Sequence, residues 1–139
     1  MGKSKKVVID TNVFISAFGW GGKPLTIVEL LESAGIVNCI SEDIILEVSR
    51  SLAYPKLDFP QKLQSDILKF IIAYSTFFEP TMSLNVTPDP ADNMLLECAL
   101  SAKAKFVITG DKKLLAMKKY SNIQMVSPET FLAVLWGQT

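Results

Sequence analysis

Val7-Val8-Ile9-Asp10-Thr11-Asn12 is an apolar run that stops abruptly at a polar triplet. β-Branched residues without polar alternation read as a strand buried on both faces, the pattern of a parallel sheet covered by helices. Val13 to Phe18 then opens a helix. Phe106-Val107-Ile108-Thr109-Gly110-Asp111 repeats the arrangement: a buried strand, an acid at its end, and a helix over Lys112 to Met117.

Working outward, Ile36 to Ile40 and Ile123 to Val126 are two more apolar strands. Gly19 to Pro24 reads as a turn, and Leu25 to Ser33 has helical spacing. Ser41 is a good N-cap for a helix that carries Glu47, with Glu42 and Asp43 in its first turn. Tyr54-Pro55 and Phe59-Pro60 interrupt the chain. Leu63 to Phe77 then repeats apolar residues at helical spacing until Glu79-Pro80, and a loop leads to Pro88-Asp89-Pro90. Asp92 to Lys103 and Pro128 to Leu135 complete the helices. This alternation predicts an α/β fold, three-layered, with a mainly parallel central sheet flanked by helices.

The 139 residues contain no repeat or long linker, so one domain over 1–139 is expected. With 49% hydrophobic and 20% charged residues the chain can bury a core without staples. No apolar run reaches the roughly 20 residues that cross a bilayer, and the start does not read as a signal peptide, so a cytoplasmic protein without a membrane partner is expected. Cys39 and Cys98 lie in apolar segments and read as small core residues. Histidine is absent, which excludes imidazole bases, His-containing zinc sites and Ser-His or Cys-His pairs. The formal net charge is zero, so any hold on a polyanion must come from a local patch. Lys3, Lys5 and Lys6 form one candidate, and Lys112, Lys113, Lys118 and Lys119 another.

In open parallel sheets ligands sit beyond the carboxyl ends of the strands. Asp10 and Asp111 both fall there, although either could simply cap the helix that follows. Glu47 lies at the border of the apolar stripe Ile44, Ile45, Val48 and Leu52. Asp89, Asp92 and Asn93 surround the opening of the helix that buries Leu95, Leu96, Ala99 and Leu100. Carboxylates without imidazole or thiolate select hard cations, Mg²⁺ or Mn²⁺, and such sites most often process phosphate esters.

Three segments together resemble one family. Val8-Ile9-Asp10-Thr11-Asn12-Val13-Phe14 is similar to the opening motif of PIN domains, and Ser41-Glu42-Asp43-Ile44-Ile45-Leu46-Glu47 to their middle segment. Asp89-Pro90-Ala91-Asp92-Asn93, with Phe106 to Lys112, resembles their second half. Within the family the resemblance points toward toxin components of bacterial and archaeal toxin–antitoxin pairs. It implies an endoribonuclease that uses Mg²⁺ or Mn²⁺ and leaves 5′-phosphate and 3′-hydroxyl ends. Asp10, Glu47 and Asp111 fall on the family's acidic positions. The remaining acidic position falls on Asp92 or one residue on, at Asn93, and Asp92 is preferred. Asn12, Asn93 and Thr109 would support the acids by hydrogen bonds. Lys112 and Lys113 would bind RNA, and Trp20 or Phe18 could stack on bases, though a core or dimer contact suits those two better. A cognate antitoxin and a homo-oligomer are the expected protein partners. A catalytically silent PIN domain that binds RNA or protein is the alternative.

Two other α/β classes fit less well. A haloacid dehalogenase-type phosphatase has a second Asp two residues after the first, where this chain has Asn12. A receiver domain needs its phosphorylated Asp after a middle strand, whereas Val37 to Ile40 ends in Ser41.

Overall fold

β1 (Lys5–Ile9) runs through the middle of the sheet between β2 (Ile36–Ile40) and β4 (Phe106–Ile108), parallel to both. A computed structural model describes residues 5–137; Lys3 of the expected basic group lies outside them, with Met1, Gly2 and Ser4. With β3 (Ser75–Phe77), β5 (Lys119–Tyr120) and β6 (Ile123–Val126), the six-stranded sheet has the order β3-β2-β1-β4-β6-β5. Its pairings are parallel except for that of β5 with β6, so the fold is α/β with a mainly parallel sheet flanked by helices. Val7, Val8, Ile9, Val107 and Ile108 are buried, as their unalternating apolar runs require. Cys39 and Cys98 fill the same core.

The seven described helices are α1 (Thr11–Trp20), α2 (Gly22–Glu32), α3 (Glu42–Leu52), α4 (Gln61–Ala73), α5 (Pro90–Ala102), α6 (Lys112–Met117) and α7 (Pro128–Leu135). α5 packs across β1, β2 and β4, and α2 packs on α1 and α7. None of the described helices is long and apolar enough to cross a membrane.

Three details depart from the expected layout. The turn expected over Gly19 to Pro24 contracts to a break at Gly21. There φ is +80°, a conformation glycine adopts at little steric cost, and the amide still donates to the carbonyls of Ser16 and Ala17. The helix expected over Leu63 to Phe77 ends at Ala73, and Ser75–Phe77 forms β3 at the sheet edge. Tyr74 and Phe77 continue the helical spacing of Phe70 and Ile71, but pairing with β2 overrides it: Ser75 lies opposite Asn38, and the Phe78 amide donates to the Ile40 carbonyl at 2.8 Å. The two-residue β5 is too short to leave a periodic signal.

Asn38 is the polar residue buried within β2. The backbone ladder between β1 and β2 ends at Val7, so the buried Ile9 amide has no strand partner there. The Asn38 side chain supplies one: Oδ1 accepts from Ile9 N at 3.1 Å while Nδ2 donates to Ser75 Oγ at 2.9 Å. One amide thus joins the strand leading to Asp10 with the edge strand β3. Asn38→Leu, close in volume but unable to hydrogen-bond, is expected to lower the unfolding free energy by about 1–3 kcal/mol in a denaturant titration. A change within about 0.5 kcal/mol would mean that the bridge does not stabilise the sheet.

Candidate active site

The chain leaves β1 toward β2 on one side and reaches β4 on the other, so the sheet's topological switch lies between β1 and β4. Asp10 and Asp111 follow these two strands. Together with Glu47 on α3 and Asp92 on α5 they line one cavity of about 160 Å³, with Thr11, Asn12, Ser51 and Asp89 contributing further polar groups. Ile44, Met94 and Leu95 form its apolar wall.

Thr109 sets the geometry of two of these acids. It is fully buried, and its hydroxyl donates to Asp10 Oδ2 at 2.7 Å while accepting from the Asp111 amide at 3.0 Å. The two acids serve their helices differently. Asp111 does cap α6, its Oδ1 accepting from Lys113 N at 3.0 Å. Asp10 stands at the N-cap position of α1 but makes no side-chain cap bond of full hydrogen-bond geometry, its Oδ2 being engaged by Thr109 instead.

The choice between Asp92 and Asn93 follows from the start of α5. Asp89 caps the helix by accepting from Ala91 N at 2.9 Å, which leaves Asp92 to turn into the cavity. Asn93, about 100° further round the helix, turns away. Its Oδ1 accepts from the amides of Val86 and Thr87, and its Nδ2 donates to the Thr87 carbonyl at 3.0 Å. Asn93 therefore clamps the preceding loop and does not orient the acids. Asn12 lines the cavity, and Glu47 accepts from Arg50 at 3.1 Å and from Ser51 Oγ at 3.3 Å. Nothing in the sequence singled out Ser51. It stands four residues after Glu47, the spacing at which helical side chains meet.

Burial pushes the Asp10 carboxyl above its usual range, and the Asp111 charge adds to this; the Thr109 hydroxyl and the amides of Asn12 and Thr11 oppose it. Asp92 is raised to about 6, first by burial and then by the charges of Asp89, Asp111 and Asp10, with Lys113 opposing. The acids thus feel one another with little cationic compensation. No three acids among the described residues already form a metal-holding cluster, so coordination requires side-chain rotation within the cavity. The donor chemistry still fits a hard divalent ion: the charged groups facing the cavity are carboxylates, and two of them are destabilised as anions. The buried thiols of Cys39 and Cys98 are pushed up to about 11 and about 12, far from thiolate ligands.

The basic residues divide between two ends of the fold. Lys113 lies beside Asp92, and Lys112 is its exposed neighbour. Lys5 and Lys6 begin β1, at the strand end away from the cavity, where the Lys6 ammonium donates to the Ala102 carbonyl at 3.2 Å. Phe18 packs edge-on against Phe70, and the exposed Trp20 leans on Phe59. Neither aromatic residue lines the acid cavity.

The PIN domain family model matches residues 6–113, a span that covers most of the chain and contains Asp10, Glu47, Asp92 and Asp111. The chain belongs to the PIN-domain family. An uncharacterized protein of Methanocaldococcus jannaschii is 37% identical over 133 residues, covering 88% of this chain and 85% of that protein. A similar fold occurs in the crystal structure of VapBC2 from Rickettsia felis bound to a DNA fragment from their promoter. That match has a TM-score of 0.61 and 12% identity, and covers 88% of this chain and 98% of the other.

Because the carboxyl of Asp92 titrates higher in the folded PIN domain than in the unfolded chain, folding is favoured by its protonated form. That contribution is complete below about pH 3.8 and is lost as the pH rises through about 6. In EDTA, Asp92→Asn should remove this dependence and raise the melting temperature at pH 7.5 by a few degrees, with a smaller gain at pH 5. A melting temperature at pH 7.5 equal to or below that of the parent would show that burial and the neighbouring acids do not destabilise the Asp92 anion.

Proposed function

We propose that this PIN domain is a divalent-metal-dependent endoribonuclease that hydrolyses RNA phosphodiester bonds as the toxin of a toxin–antitoxin pair. The observation that carries the nuclease reading is the meeting of Asp10, Glu47, Asp92 and Asp111, from four separate elements, around one cavity. The toxin reading draws on the resemblance of the motifs, and the fold shared with the VapBC2 complex supports a protein partner.

Asp10, Asp92 and Asp111 would hold Mg²⁺ or Mn²⁺ directly, and Glu47 directly or through water. When bound, the ion lowers the pKa of water, aligns it with phosphorus and neutralises charge at the leaving oxygen. Thr109 would hold Asp10 for that role through its hydroxyl bond and steadies Asp111 through the backbone amide. Ser51 holds Glu47 at the rim. Asn12 lies beside Asp10, where its amide group can orient water. Lys113 lies beside Asp92 with Lys112 exposed next to it, and the two would meet the phosphate backbone.

Purified protein should cleave single-stranded RNA in Mn²⁺ or Mg²⁺ and lose the activity in EDTA. Asp10→Asn, Asp92→Asn and Asp111→Asn should each lower turnover by roughly two orders of magnitude or more while RNA still binds. Asn93→Ala should cost less, since it loosens the clamped loop without removing a carboxylate. Full cleavage in EDTA, or Asn93→Ala falling below Asp92→Asn, would overturn these assignments.

A further inference from the structure

A second cleft, of about 460 Å³, adjoins the acid cavity and shares Asp89 and Asp92 with it. Val86 and Pro88 line it from the loop before α5 and Pro90 from the first position of that helix; Leu114 and Met117 line it from α6, with Lys113 contributing a charged group. We propose that this cleft is a nucleotide subsite that receives the base next to the scissile phosphate. The inference rests on the nuclease reading of the adjoining acids.

The shared wall carries the argument. A ligand reaching across Asp92 must present a group suited to the acid cavity on one side and a compact apolar body on the other. A nucleotide does both through its phosphate and its base. Lys113, which lines the cleft together with Asp92, supplies the positive charge that a phosphate at this junction needs. The remaining lining is mostly aliphatic and prolyl, suited to the faces of a base rather than to a second charge. The size falls within the range of small-molecule sites.

The cleft is also built in advance. Three hydrogen bonds from Asn93 fix the loop at Val86 and Thr87, and the Thr87 hydroxyl accepts from the Asp89 amide at 3.2 Å and donates to the Asp89 carbonyl at 3.0 Å. The amides of Val86, Thr87 and Asp89 are therefore already engaged and do not read base edges. Recognition rests on apolar contact, which admits any base and favours the larger face of a purine.

The test uses adenosine 5′-monophosphate and ribose 5-phosphate as separate probes, titrated by NMR into the whole protein in Mg²⁺. The adenine compound should bind at least tenfold more tightly and shift the amides of Val86, Thr87, Leu114 and Met117. Met117→Glu should abolish that advantage while leaving ribose 5-phosphate binding unchanged. Should this variant fail to fold, Val86→Glu at an exposed loop position carries the same expectation. Equal binding of the two probes, as a cleft built for an apolar anchor of a partner protein would give, overturns the proposal; so do shifts confined to other surfaces. The titration reads binding alone, so adenine binding here by a protein that cleaves no RNA in the assay above would contradict the nuclease reading and leave a nucleotide-binding cleft with no scissile phosphate beside it.

Discussion

The hydroxyl of Thr109 is the joint on which the candidate site depends. Two parallel strands deliver Asp10 and Asp111 to the same end of the sheet, but a sheet edge alone leaves carboxylates to turn outward into water. Burying them costs free energy unless their oxygens find donors. Thr109 provides one at 2.7 Å to Asp10 and, with the same oxygen, accepts the Asp111 amide, so a fully buried side chain ties the Asp10 carboxylate to the backbone that carries Asp111. Asn38 secures the same strand from the other side by satisfying the Ile9 amide, one residue before Asp10.

The enclosure of the site sets the electrostatics. Burial, with the repulsion of neighbouring acids added to it, raises Asp10 and Asp92 above the usual carboxylate range. On the proposed reading, a cation entering the site would restore stability that the crowded acids cost the metal-free protein. Asp111 sits differently, since it also caps α6. A single side chain can begin a helix and offer its other oxygen to the cavity, so the capping and functional readings of that acid are compatible.

Much of the fold was legible because the decisive strands are short, fully apolar and followed at once by polar residues. The parts that were not legible are set by tertiary pairing. Ser75–Phe77 has helical spacing inherited from α4 and becomes a strand only because β2 offers it an edge. At the site, periodicity could place Asp10 and Asp111 at strand ends and Glu47 on a stripe border. It could not separate Asp92 from Asn93, because that choice turns on which residue caps α5 and on loop amides that only the folded chain brings to Asn93. The cleft between that loop and α6 left no sequence pattern, since its walls come from segments more than twenty residues apart.

The central claim is that Thr109 poises these acids for a divalent ion, and calorimetric titration of Mn²⁺ into Thr109→Val tests it most directly. Valine preserves the buried shape and removes only the hydroxyl. Mn²⁺ affinity should fall by about 10- to 100-fold, as loss of an orienting partner typically costs, and Thr109→Ser should restore it. Affinity for Mn²⁺ unchanged in a folded Thr109→Val protein, or no saturable binding by the parent, would contradict the account.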